Sequence, residues 1–242
     1  LSGLRKRFDL GQQAALSIGL SLAIIPVGML WSSWVGLRWS RLGILCTLAV
    51  LAGLSAWRMI HPAWTQKIHL DNVHTKPTLW NTTSWLFDLA LAGIFLISLA
   101  VRLAMVRDMA APAWVDSVHH GLIARLITEY GGFPATYAPY LSLDPTKYHA
   151  GYHSSLAVFQ WISGLDLTTG MLLFGQFLNA LIVYPVYLLA ATLTNNRLAG
   201  LLAALIAGLF TPMPAYYASW GRYTQLAGLI ILPSTLALTR LA

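Results

Sequence analysis

The sequence predicts an all-α fold: a polytopic membrane helical bundle of about six transmembrane helices, with a long extracytoplasmic loop that contains interfacial helices. Three observations predict it. Of 242 residues, 57% are hydrophobic and only 10% are charged, against roughly 25% charged in soluble domains. So few charges cannot cover a soluble surface, whereas lipid-facing helices need none. The apolar residues fall in runs close to the ~20 residues that cross a hydrocarbon core. Polar residues, by contrast, collect between Arg107 and Asp166, which hold five of the eight acids and four of the seven histidines.

Taken in order, Arg5, Lys6 and Arg7 precede the first apolar run and are expected on anionic headgroups at the cytoplasmic face. That run, Ala14 to Gly36, exceeds a signal-peptide core and lacks a small-residue cleavage site, so it is a retained helix. Pro26 is its expected kink, and Trp31, Trp34 and Trp39 form an interfacial belt. Leu42 to Ile60 is the second span. Its Cys46, the lone cysteine, excludes a disulfide framework or a thiolate metal site. His61 to Ser84 reads as a loop, and Trp85 to Val106 as the third span, with Asp88 at its hydrated start. Beyond the long loop come Thr168 to Leu193, a tight turn from Thr194 to Arg197, Leu198 to Phe210, and Leu226 to Leu241. Ala150 to Gly164 is apolar but only about 15 residues long, short for a span, and reads as a helix lying at the interface.

No period of 20 to 50 residues recurs, so a solenoid is excluded. The chain divides into 1–84, two extra helices and a cytoplasmic loop, and 85–242, a core with the outer loop 107–167. It opens on Leu1 rather than Met and stops at Ala242 in an apolar run, which predicts a piece of a longer protein. Short-loop Lys and Arg set the orientation. With the N-terminus cytoplasmic, the inner side takes Arg5, Lys6, Arg7, Arg58, Lys67, Lys76, Arg197 and Arg240, and the outer side Arg38, Arg41 and Arg222. A multi-pass plasma-membrane protein follows. Its net charge of +7 points to anionic lipid and not to nucleic acid, because no basic stripe marks a soluble surface.

Within the loop, the run from Val115 to Tyr130 places Val118, Leu122 and Leu126, with Ile123 and Ile127 one residue off, on one side of an amphipathic helix. Asp116 is expected as its first residue and cap, one turn from His119 and His120. Gly131-Gly132-Phe133-Pro134 ends it. Asp116, His119 and His120 are candidates for a divalent cation, and His149 and His153 have the i, i+4 spacing of zinc ligands on a helix. The competing readings are a helix cap for Asp116, hydrogen-bonded fillers for the histidines, and an Arg222 that snorkels among Tyr216, Tyr217, Trp220 and Tyr223. Arg107 and Asp108 read as a surface pair, and the sequon Asn81-Thr82-Thr83 as coincidental on the inner side.

Three segments carry a resemblance: Gly121 to Gly132 behind Pro112 and Asp116, Tyr148-His149-Ala150-Gly151-Tyr152-His153, and Trp220-Gly221-Arg222-Tyr223-Thr224-Gln225. From about Trp85 to Ala242 the chain resembles the C-type (GT-C) membrane glycosyltransferases, the superfamily of protein O-mannosyltransferases and lipid A aminoarabinose transferases. It departs from them in its two leading spans and in stopping before their later helices and soluble portion. The resemblance implies transfer of a sugar from a polyprenyl-phosphate donor to an acceptor at the outer membrane face. It makes Asp116 the catalytic base or a metal carboxylate. Arg222 becomes the phosphate clamp, with Tyr223, His120, His149 and His153 binding substrate. A non-catalytic subunit of a larger membrane complex is the alternative. A pigment-binding version of that subunit is disfavoured, since no histidine lies mid-span, and a transporter is disfavoured, since neither ionisable groups near the midplane nor repeated halves occur.

Overall fold

The structure, a computed structural model, describes residues 8–61, 84–145 and 148–239. Arg5-Lys6-Arg7, Lys67, Asp71, Lys76, the Asn81 sequon, Lys147 and Arg240 lie outside the described residues. Within them every regular element is helical: α1 Leu10–Trp34, α2 Arg41–Ile60, α3 Ser84–Val106, α4 Val115–Tyr130, α5 Gly151–Ser163, α6 Leu167–Leu181, α7 Val183–Thr194, α8 Arg197–Leu205 with a π turn Ile206–Phe210, α9 Pro212–Ser219 and α10 Tyr223–Thr239. Four spans are long and apolar enough to cross a membrane: α1, α2, α3, and α6 with α7. The bent pair of α8 with its π turn and α9 makes a fifth if counted as one.

Local chemistry sets the boundaries. Asp9 and Gln12 form a capping box at the head of α1, which continues through Pro26. Asp166 caps α6 through the backbone N–H groups of Thr168 and Thr169, and these hydrogen bonds hold its carboxyl down at about 2. Asn195 closes α7 in the left-handed conformation and Asn196 caps α8, giving the expected tight turn.

The two ends of the bundle are chemically distinct. At one end Arg197, heading α8, pairs with Asp9 at 3.0 Å and Asp88 at 2.7 Å, while Tyr187 donates to Asp9 at 2.8 Å. Asp88 is therefore an ion-pair partner rather than a merely hydrated helix end. At the other end, the turn after α1 grips the end of α4. The Trp39 N–H donates to the Gly131 carbonyl at 2.6 Å, and the Phe133 N–H to Ser33 Oγ at 3.0 Å. Gly131 sits at φ +76 with the Trp39 carbonyl 2.5 Å from where a Cβ would stand; only glycine tolerates both. Arg107 and Asp108 form the expected exposed pair at this end.

One expectation about the loop is corrected and another gains detail. The segment Ala150 to Gly164 is enclosed by its neighbours. Its helix α5 packs against α1, α2, α4, α6 and α10, and Tyr152 through Val158 are all buried. Its small and polar residues, Ser154, Ser155 and Ala157, allow neighbouring helices to close around it. In α4 the buried stripe is Ser117, His120, Gly121, Ile123, Ala124 and Ile127, and Val118 is 70% exposed. The stripe is rotated from the most apolar face because the N-terminal turns of α4 present polar groups inward.

A bent helix pair carries the chain back to this end. After the π turn, Pro212 has no N–H to offer the Gly208 carbonyl, and Arg102 of α3 donates to that oxygen at 2.7 Å instead. Asn179 of α6 donates to the carbonyls of Pro214 and Ala215 at 3.2 and 3.0 Å. These contacts hold the 42° bend that delivers Trp220 to Tyr223 over the head of α4.

Candidate functional site

A polar cleft of about 160 Å³ opens at this end, lined by Asp116, His119, His120, Tyr148, His149, Arg222 and Thr224. Three parts of the chain converge there: the first turns of α4, the approach to α5 and the junction of α9 with α10. Gly221 makes the third approach possible. Its φ is +70, and a Cβ would stand 2.7 Å from Ser117 Oγ, so the α9–α10 junction lies directly against α4. Arg222 consequently reaches Asp116, with Nε 3.5 Å from Oδ2, and its guanidinium lies 4.6 Å from the centre of the Trp220 ring. At 3.5 Å this is an ion pair without hydrogen-bond geometry, and Arg222 Nε has no hydrogen-bond partner. Arg222 thus serves both readings of its sequence context: its ring partner lies in the aromatic cluster and its charge faces the cleft.

Asp116 does not cap α4. The cap position is Trp114, at φ +78 and without a side-chain hydrogen bond. Asp116 stands in the first helical turn, and its carboxylate is turned toward Arg222 instead. In that turn Asp116 still opposes the positive end of the helix dipole.

His119 and His149 are exposed in the lining, whereas His120 is buried and shows only part of its ring. His153 and Tyr223 do not line the cleft; they lie beneath it. His153 is wholly buried, with Nε2 2.9 Å from His120 Nδ1. Tyr223 stacks on Tyr152 at 5.2 Å, and Tyr152 on Phe174 at 5.9 Å, forming an aromatic floor. His149 precedes the first turn of α5, so the pair His149 and His153 is not carried on one helix as its spacing implied; the rings stack at 6.3 Å. Among the described residues no three His, Cys, Asp or Glu side chains are arranged to hold a metal ion. Asp116, His119 and His120 share the cleft without forming such a set, and Arg222 beside the carboxylate opposes a second cation.

Burial pushes His120 down to about 4, helped by His149, and pushes His153 well below the usual imidazole range, helped by His120. The sign of the pH effect follows. Below about pH 6.5 an unfolded chain protonates both rings, while the folded chain leaves His120 neutral down to about 4. The unfolded state therefore binds more protons in that window, and stability falls as pH falls through it. The thermal unfolding midpoint in detergent is expected to drop between pH 6.5 and 4 and to drop less for His120→Phe.

Tyr148 and Thr224, present in the resembling segments but with no role expected of them, also line the cleft. The signal for each was adjacency, to His149 and to Arg222 and Tyr223 respectively. Arg102 gave no sequence signal, since an arginine near a span end reads as a headgroup anchor.

Fold and site together define an all-helical protein whose longest helices are apolar enough to cross a membrane and whose polar cleft lies at one end of the bundle. The chain belongs to the Family of unknown function (DUF6541), whose model matches residues 5–242. No curated protein and no solved structure matches it.

Proposed function

We propose that the chain is a multi-pass plasma-membrane glycosyltransferase, or the front part of one, using a polyprenyl-phosphate-linked sugar at the outer membrane face. On this reading the bundle crosses six times, through α1, α2, α3, α6 with α7, α8 with its π turn and α9, and α10. The N-terminus is cytoplasmic and the cleft extracytoplasmic. One observation carries the proposal: Asp116 and Arg222, 106 positions apart in the chain, face each other at 3.5 Å in one cleft with His120 and His149. A carboxylate beside a guanidinium is the pair that sugar transfer from a phosphate carrier needs. Asp116 takes the proton of the acceptor hydroxyl. Arg222, whose closest approach to Asp116 is through Nε at 3.5 Å, holds the phosphate that leaves. The acceptor O–C bond forms at the sugar's anomeric carbon as the C–O bond to phosphate breaks, and the phosphate departs with the electron pair. The exposed Trp114 just ahead of α4, and the Tyr216–Trp220 pair whose tryptophan packs on Arg222, suit a lipid-borne substrate at a headgroup boundary.

In a sugar-transfer assay with the full-length protein in proteoliposomes, Asp116→Asn is expected to lower kcat by about 10² or more, the usual contribution of a general base. Arg222→Ala should mainly raise KM for the lipid donor. Undiminished transfer in both variants overturns the reading. A second reading, a non-catalytic subunit, is favoured by α2: its apolar window has no buried residue, and α5 is its main packing neighbour. Purification in fixed ratio with other membrane subunits would select it.

A further inference from the structure

The buried histidine pair has no part in the transfer scheme. His120 Nδ1 and His153 Nε2 lie 2.9 Å apart, and His153 is fully enclosed on α5. The other nitrogen of His153, Nδ1, has no partner in hydrogen-bond geometry, and the backbone acceptor acting on that ring is the His149 carbonyl. Around His120 stand Asp116 and His119 on α4, the ring of Tyr152 with His153 on α5, His149 on its approach, and Arg222 with Tyr223 at the head of α10.

Both rings are neutral at pH 7, so each carries one N–H, and a single proton lies between them. Two registers satisfy that. In one, His153 Nε2 donates, leaving its Nδ1 as a bare lone pair turned toward a carbonyl oxygen, an acceptor against an acceptor. In the other, His153 Nδ1 carries its proton toward the His149 carbonyl, and Nε2 accepts from His120 Nδ1–H. The second avoids the repulsion, and it has a consequence in the cleft. It leaves His120 Nε2 without a proton, a second acceptor in the cleft beside the Asp116 carboxylate and among the donors Arg222, Thr224 and Tyr148.

We propose that His120 is a hydroxyl-positioning residue, its bare Nε2 accepting a hydrogen bond from an alcohol group of the ligand, and that buried His153 is the positioning residue that fixes this tautomer. The ligand class is then a phosphorylated polyol, with phosphate at Arg222 and a hydroxyl at His120. The proposal rests on the transferase reading for the identity of the alcohol; the tautomer does not depend on it.

The test uses full-length protein in nanodiscs with 15N-labelled histidine. The His120 signal is expected to report the Nδ1–H tautomer. It should convert to the Nε2–H form in His153→Leu, and remain in His153→Gln, whose amide oxygen supplies the acceptor again. Binding is read with two probes, inorganic phosphate and a hexose 1-phosphate. Wild type should favour the hexose 1-phosphate by roughly tenfold, the value of one good hydrogen bond. His153→Leu should abolish that preference without weakening phosphate binding, and His153→Gln should restore it. An Nε2–H tautomer in wild type, equal affinity for the two probes, or an unchanged preference in His153→Leu overturns the proposal. Absence of sugar transfer with the tautomer and the preference intact would remove the transferase reading and leave this one standing.

Discussion

Replacing Arg197 with methionine will cost the protein about 3 kcal/mol, the lower end of the range for removing one partner from a buried ion pair. The lower end applies because the side chains of Arg197, Asp9 and Asp88 retain 26, 15 and 21% of their exposure. One guanidinium serves two carboxylates and receives support from Tyr187, so its loss leaves Asp9 and Asp88 facing one another without a cation. The network ties the head of α1, the start of α3, the body of α7 and the head of α8 at one point. Its removal should therefore loosen the whole end of the bundle rather than one helix. A fall of roughly 6–12 °C in the unfolding midpoint is expected from the size scaling of such losses. Combining Arg197→Met with Asp9→Asn and Asp88→Asn should recover part of the loss, because the uncompensated charges are then gone. An Arg197→Met protein as stable as wild type would show that the network contributes nothing.

Gly221→Ala will reach the cleft without removing any of its chemical groups. The substitution forces an L residue into φ +70, and it places a methyl 2.7 Å from Ser117 Oγ. Backbone strain and overpacking together are worth about 2–4 kcal/mol. The α9–α10 junction relieves that by moving off α4, and Arg222 moves with it. Since a misplacement of about 1 Å can cost 10²-fold in a positioned reaction, transfer activity should fall by about that factor. The smaller Ser117→Ala,Gly221→Ala combination, which removes the opposing hydroxyl, should recover some activity. Wild-type rates in Gly221→Ala would mean that close contact between these segments is not what sets the site.

Much of the helix pattern was legible because length and hydropathy decide it locally. The starts of α2 and α3 and the turn at Asn195 and Asn196 follow from runs of apolar residues and from capping side chains that act within four positions. Asp116 and Arg222 were legible as candidates for the same reason: charged residues are conspicuous in an apolar chain. The details around them were not. Asp116 was expected to cap its helix, and Val118 to face inward, because local rules assign an acid to a helix head and the most apolar face to the core. Both expectations yielded to neighbours far off in the chain. Arg222 offered the carboxylate a better partner, and the burial of α5 made the polar stripe of α4 the inward one. That the 13-residue α5 is enclosed on several sides has no signature in a segment so short.

The sequence by itself determined an all-helical chain with apolar helices of membrane-crossing length and a polar segment between Arg107 and Asp166, because composition and short-range periodicity need no knowledge of what packs where. Tertiary structure alone decided that Arg222 meets Asp116, that His153 lies behind His120, and that Arg102 serves the carbonyl Pro212 leaves unpaired. The physical reason is common to all three. A charge, ring nitrogen or carbonyl drawn away from water gains from a polar partner, and which partner comes within reach depends on how helices distant in sequence are brought together.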